Sequence, residues 1–279
     1  MCVQKLRQRS KAIQTTPYKG ERMAVLGVLT CEILELEFAH LLAADSGLAR
    51  VTVLEDKHSA RLIGALAVHG VNNPRRVSRL EEFMRDSGCG VEVLIRVLEL
   101  GLHIWPKNLR EALVEAAHEI SSHVDALLLG YGLCGNALEK PGELLSDIGV
   151  PVFIPMDEDH PVDDCVGLLI GGRERYYAEL CKVAGTYFIT PGWSYHWRRM
   201  FEREFGGVSL DLAKRMFKHY ERTLLISNPI MPQDEMASNV EEFNDMFGFR
   251  VEGCDGTLSI LMDAWAAAKE SLNSQTNNT

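Results

Sequence analysis

The chain contains no run of some 20 consecutive apolar residues, the length a membrane-crossing helix needs. It also has no surplus of positive charge: 29 Lys and Arg stand against 39 Asp and Glu, a formal net charge of -10. The first absence argues against a membrane partner. The second argues against a general nucleic-acid binder, because phosphate contacts require a basic face. There is no GxxxxGK[ST] phosphate loop, GxSxG nucleophile elbow or HExxH zinc helix, so the common nucleotide-dependent classes lose ground. GYGLCG has a GxG start without the spacing of a dinucleotide fingerprint. No CxxC pair occurs either, and such pairs are what a closed structural metal site favours. The opening MCVQKLRQRSKAIQTTPYKGER has Lys and Arg but no apolar core, unlike a secretory signal. Residues 1–22 are expected to be a disordered tail, or a mis-assigned start with translation beginning at Met23.

What is present is ordinary globular composition, 46% hydrophobic and 24% charged over 279 residues. That length can bury a sizeable core, as one domain over residues 23–270 or as two intimate lobes. Residues 271–279 read as a second frayed tail. The seven cysteines, Cys2, Cys31, Cys89, Cys134, Cys165, Cys181 and Cys254, are odd in number and widely spread. They fit no disulfide scaffold, which points to a reducing, cytoplasmic compartment. There a cysteine is either an inert core residue or a carrier of metal or redox chemistry.

Short apolar runs alternate with amphipathic segments throughout. Strands are expected at AVLGVLT (from Ala24), VTVLE (from Val51), VDALLLG (from Val124), PVFIPM (from Pro151), GTYFIT (from Gly185) and TLLISN (from Thr223). Val91 to Leu100 suits a strand or a helix. Helices are expected after Cys31, from Pro106 through KNLREALVEAAHEISS, at PGWSYHW, and near Ala237 to Phe247. Cys254 is read as a loop residue. Apolar strands separated by amphipathic helices are what a mainly parallel sheet covered on both faces requires, so the fold class is α/β with Rossmann-like layers.

Cys31, Cys134 and Cys165 each follow a predicted strand. In an open α/β sheet the carboxyl ends of parallel strands share one edge, where residues distant in sequence converge. Three soft thiolate donors suit zinc or an iron–sulfur cluster and leave a fourth position open, as in catalytic metal sites. The competing reading is three separate buried thiols in core packing. Cys134 lies between Gly132 and Gly135 at a strand-to-helix turn, and Cys165 follows Asp163 and Asp164, which can cap a helix. His103, in GLHIWP, is the candidate fourth ligand or proton carrier, or else a loop histidine. The acidic run around Asp157 and His160 reads as a hydrated loop. Arg173 and Arg175 follow paired glycines and suit a carboxylate or phosphate, or simply a solvated helix face. Asn136, beside the Cys134 turn, and Trp193, in an aromatic-rich helix start, are further candidate ligand-binding residues, with core packing the default for the tryptophan.

LTCEILELE, GLHIWPKNL, LLLGYGLCGNAL, DDCVGLLIGGRERYY, GTYFITPGW and a weaker GCDGTLSIL follow one another in consistent order from Ala24 to about Leu261. Together they resemble the proteins grouped as domain of unknown function 1638, found largely in anaerobic archaea and bacteria. The resemblance implies an α/β fold with cysteines at these positions and a link to corrinoid or one-carbon metabolism. It also sets His103 and Asp164 beside Cys31, Cys134 and Cys165 as the polar motif members. The chain departs from the pattern at Asp163, where a histidine is expected, and in extra length over Leu62 to Arg85.

The leading expectation is a metal-binding protein in which Cys31, Cys134 and Cys165, with His103, hold zinc or an iron–sulfur cluster and act on a small-molecule substrate or methyl carrier. The first alternative is a non-enzymatic accessory protein holding a corrinoid or an anion through Arg173, Arg175 and Trp193. The second is a cysteine nucleophile using Cys165 with His103 or His160. A homodimer is compatible with a chain of this size.

Overall fold

Runs of Val, Leu and Ile too short for a helix and apolar on both faces build the first sheet. The computed structural model describes residues 22–276; the expected N-terminal tail lies outside them apart from Arg22. Strand β1 (Ala24–Cys31) leads through a 3-10 turn (Glu32–Leu34) into helix α1 (Glu35–Ala44). Then follow β2 (Leu48–Leu54), α2 (Ala60–Val68), the short β3 (Arg75–Val77) and β4 (Val91–Leu98). The ambiguous Val91 segment is therefore a strand. Helix α3 (Pro106–Ser121) and β5 (Ala126–Gly130) come next, then a single helical turn α4 (Pro141–Leu144) and the two-residue β6 (Val152–Phe153).

These six strands form one parallel sheet in the order β3-β2-β4-β1-β5-β6. Alternation along each strand divides its side chains between two faces. Leu26, Val28, Val93, Ile95 and Leu128 enter one core, while Val25, Leu29, Leu94 and Leu127 meet α3 through Leu109, Leu113 and Ile120 in the other. Both faces are covered, as a parallel sheet demands.

A hairpin of β7 (Met156–Asp157) and β8 (His160–Pro161) leads to helices α5 (Cys165–Ile170) and α6 (Arg173–Lys182). The expected Pro151–Met156 strand is thus cut to two paired residues, because Pro151 and Pro155 have no N–H for a ladder. A second parallel sheet, in the order β11-β10-β9, comprises β9 (Thr186–Ile189), β10 (Arg222–Ser227) and β11 (Arg250–Asp255). Helices α7 (Pro191–Phe205), α8 (Leu210–Met216), α9 (Gln233–Asn239) and α10 (Glu241–Phe247) pack around it. The single helix expected near Ala237–Phe247 is two, broken at Val240 (φ -109°, ψ 12°). Cys254 lies in β11, not in a loop. The last helix, α11 (Ser259–Thr276), returns to β1 and β5 of the first sheet and runs through much of the expected C-terminal tail.

Candidate functional site

Strands β1 and β5 are adjacent and end in register, Thr30 opposite Gly130. Cys31, the last residue of β1, and Tyr131, the first after β5, therefore stand side by side at the carboxyl edge of the sheet. Beyond Tyr131 the chain lies directly on the segment before α5. The N–H of Leu133 donates to the carbonyl of Val162, and that of Cys134 to the carbonyl of Asp163, both at 2.8 Å. Gly132 permits this approach: a Cβ there would stand 2.6 Å from the Val162 oxygen and 2.7 Å from the Asp164 nitrogen. Cys134 takes the left-handed conformation (φ 46°). Asp164 caps α5 by accepting from the Gly167 N–H at 2.8 Å, and Cys165 is the first helical residue. His103 sits in a 3-10 turn (Leu102–Ile104) after β4, the other neighbour of β1.

These segments surround a cavity of about 280 Å³. Cys31, Cys134, Cys165, His103, Asp164 and Tyr131 all line it, together with Phe188 of β9 and Trp193 of α7. Trp193 is seated by the start of α7: Thr190 caps that helix by accepting from the Trp193 N–H at 3.3 Å. Gly192 lets the helix abut the Ile33 carbonyl, which would otherwise stand 1.9 Å from a Cβ. The three cysteines, 31, 134 and 165, are each partly exposed and bear no disulfide.

Burial dominates the electrostatics. It pushes the Cys31 thiol up to about 12 against the pull of the Ile33 and Leu34 N–H groups. It also raises Cys134 to about 12, with Cys31 and Asp164 adding to the effect. Cys165 is raised for the same reason, then by Asp164 and the other two thiols. Asp164 is itself raised by burial. His103, exposed at the cavity mouth, is lowered by the surrounding protein and by Arg203, so its imidazole is neutral at physiological pH. With no Lys or Arg in the lining, the thiols are held protonated.

The other expected site residues lie elsewhere. Arg173 forks onto Asp163, with Nε–Oδ2 at 3.1 Å and Nη2–Oδ1 at 2.7 Å, and its backbone N–H donates to Asp157 at 2.7 Å. The carboxylate at position 163, where the family pattern implies a histidine, is thus the partner of Arg173. Arg175 donates to the Asp255 carbonyl. Asn136 is exposed and offers its carbonyl to Arg110 at 3.3 Å. His160 meets Asp159 and Asp157. None of these four lines the cavity.

Behind the cavity stands a group that sequence reasoning missed. Glu32, Glu35 and Glu37 are all buried. Glu32 accepts from Arg199, from the Leu100 N–H at 3.1 Å and from His58 at 2.8 Å. Burial opposes its ionisation, but these donors outweigh it and hold the carboxyl below its usual range. Glu35 meets His196 at 2.8 Å and Arg61 at 3.0 Å, yet burial still raises it. Glu37 meets Asn228 at 3.3 Å.

As to fit for a metal, the donor set suits a soft ion: three thiols and a neutral imidazole on one cavity. Their spacing does not, since among the described residues no three or more His, Cys, Asp or Glu stand together as around a bound ion. Among the described residues no helix is long and apolar enough to cross a membrane. No curated protein and no solved structure matches the chain. A family model described as "Protein of unknown function (DUF1638)" matches residues 97–265, more than half of the chain. The match includes Cys134, Cys165, His103, Asp164 and Trp193 but stops short of the LTCEILELE segment with Cys31. The chain belongs to the family of proteins of unknown function DUF1638.

Proposed function

We propose that this protein is a metal-binding protein whose Cys31, Cys134 and Cys165 hold zinc or an iron–sulfur cluster, with His103 at the fourth position or close to it, and that a small substrate or methyl carrier reaches the centre through the cavity. The observation that carries the reading is the convergence of three partly exposed thiols, from three separate segments, on one cavity whose lining has no cation to stabilise them. A thiol raised by burial is a poor nucleophile at neutral pH. A soft metal ion held by the three cysteines would displace their protons and supply the missing positive charge. Because no three of these donors stand together as around an ion, binding one would require the cysteine side chains to turn about their Cα–Cβ bonds.

Held by Cys31, Cys134, Cys165 and His103, zinc would supply Lewis-acid activation of a thiol or water, and a cluster would supply an open iron for substrate. The protein's part is to hold Cys134 against the Cys165 turn, to keep His103 neutral and able to ligate, and to shield one side with Trp193. The cavity, about 280 Å³, falls just below the roughly 300–1,000 Å³ of clefts that enclose drug-sized ligands. A corrin ring is larger than such ligands, so a corrinoid partner would meet the centre across the cavity mouth.

Anaerobic purification followed by elemental analysis and a visible spectrum tests the proposal. We expect close to one zinc or one cluster per chain. Cys134→Ser should weaken retention by more than the 10–100-fold typical of outer-shell changes at metal sites. Fresh wild-type protein with less than about 0.2 equivalents of any transition metal would count decisively against the centre.

A further inference from the structure

Two carboxylates line the cavity, Glu99 and Asp164, and they differ in what balances them. Glu99 pairs with Arg203 at 2.6 Å. Asp163, the neighbour of Asp164 in the chain, is taken by Arg173. Asp164 itself pairs with no Lys, Arg or His among the described residues. Its Oδ1 accepts from the Gly167 N–H at 2.8 Å. Its Oδ2 carries no hydrogen bond from the described residues, and unlike the idle carboxyl oxygens of Glu35 and Glu37 it keeps accessible surface. A half-buried carboxylate is ordinarily matched by a positive charge, and here the protein supplies none.

The wall beside it is aromatic and apolar. Phe188 and Trp193 are both half-buried and both line the cavity, with Ile33, Leu34 and Val166. Phe188 is braced edge-on by Tyr176, with ring centroids 4.7 Å apart, and Trp193 by Tyr187 and Phe243, each at 5.1 Å. A carboxylate without a counter-charge next to aromatic rings attracts an organic cation twice over, through the carboxylate and through the ring quadrupoles, and exclusion of water strengthens both. A primary ammonium would bring three N–H donors that each need an acceptor once buried, whereas Asp164 has one oxygen to spare. A nitrogen whose hydrogens are replaced by methyl groups makes no such demand, and its methyls suit the apolar wall. Zinc at the three cysteines would not remove the need for positive charge, because three thiolates outweigh the two charges of the ion.

We infer that the cavity is a binding site for a small alkylated ammonium ion, held by the Asp164 carboxylate and the rings of Trp193 and Phe188. The inference names a ligand class for the cavity of the proposed metal centre but does not require the metal.

Choline and 3,3-dimethyl-1-butanol are the probes, because they share one shape and differ in having a charged nitrogen or a neutral carbon at its centre. Calorimetric titration of the protein as purified, at physiological ionic strength, should show one choline per chain, bound about tenfold or more tightly than the alcohol. Asp164→Asn removes the charge and keeps an oxygen able to cap α5. Trp193→Leu removes the ring and keeps an apolar side chain. Each should cut the preference by about fivefold or more, by weakening choline and leaving the alcohol nearly unchanged. No binding of choline, equal affinities in wild type, or a preference that survives both substitutions would each overturn the assignment. Thermal unfolding identifies a variant that fails to fold, and the wild-type comparison and the other variant then decide. Metal content of the same samples separates the two readings: a choline preference in metal-free protein sinks the metal centre alone, and bound metal without a choline preference sinks this site alone.

Discussion

Glu37 is the least provided for of the three buried carboxyls behind the thiols. Its side chain is 0% exposed. One oxygen accepts from Asn228 and the other has no partner. Burial pushes the carboxyl up to about 7, against the pull of its own N–H and of Asn228. In the unfolded chain it ionises at about 4.3. Between those values the fold keeps a proton that the unfolded chain has lost, so this group lowers stability as pH rises from about 4.3 to about 7, and the loss then levels off. Glu37→Gln imitates the protonated acid and should remove that slope. Urea unfolding is expected to find variant and wild type alike near pH 4 and the variant more stable at pH 8, by up to ~3 kcal/mol. A variant less stable than wild type at pH 8 would mean that ionised Glu37 is stabilised after all. At this scale the sequence disclosed those residues whose position relative to a strand end carries meaning: the three cysteines, His103 and Asp164. It did not disclose Glu32, Glu35 and Glu37, because ExxExE after a strand reads as the polar face of an amphipathic helix. Their partners His196, Arg199 and Asn228 are more than 160 residues away.

The elements that position the site do so through backbone contact. The loop after β5 reaches the start of α5 by two backbone hydrogen bonds, and Gly132 makes room for both. Gly132→Ala would place a Cβ against the Val162 oxygen and the Asp164 nitrogen, neither of which is a flexible side-chain end. The two segments must then part, carrying Cys134 away from Cys165. We expect a loss of about 1–3 kcal/mol, as for overpacking, with the fold retained and metal binding abolished. Thermal unfolding and metal content measure the two effects. Gly142→Ala, where a Cβ meets nothing within 4 Å, serves as the control and should change neither. Full metal retention by Gly132→Ala would detach this contact from the site. The strands that feed the site were legible because they are buried on both faces and therefore apolar throughout. The edge strand β11, RVEGCD, was not: one side is unpaired and its residues are largely exposed, so no apolar run marks it. The break at Val240 was hidden for a different reason, since neither Gly nor Pro stands there and tertiary packing alone ends α9.

For the whole molecule, alternation of strands and helices predicts an α/β fold but does not say where one sheet stops and the next begins. The chain answers that with the β7–β8 hairpin and then ties the halves together again with α11, which follows the second sheet yet packs on the first. A continuous apolar cluster runs from β1 through Leu225 of the second sheet and Phe243 of α10 to Trp265 and Leu272 of α11. A buried polar clasp fixes the return: Asp45, at the end of α1, accepts from Trp265 Nε1 at 2.8 Å and pairs with Lys269. Both charged side chains are almost fully buried, at 2% and 5% exposure. Removing one partner of such a pair leaves an uncompensated charge and costs about 3–5 kcal/mol, whereas removing both charges costs far less. Lys269→Met should therefore destabilise strongly, and Asp45→Asn combined with Lys269→Met should restore most of the loss. Because the core is continuous across both sheets, far-ultraviolet circular dichroism and tryptophan fluorescence should report one coincident transition in wild type and in both variants. Two separated transitions would show that the sheets fold as independent units. The cavity between them would then be an interface between two bodies, and its volume would depend on how they meet.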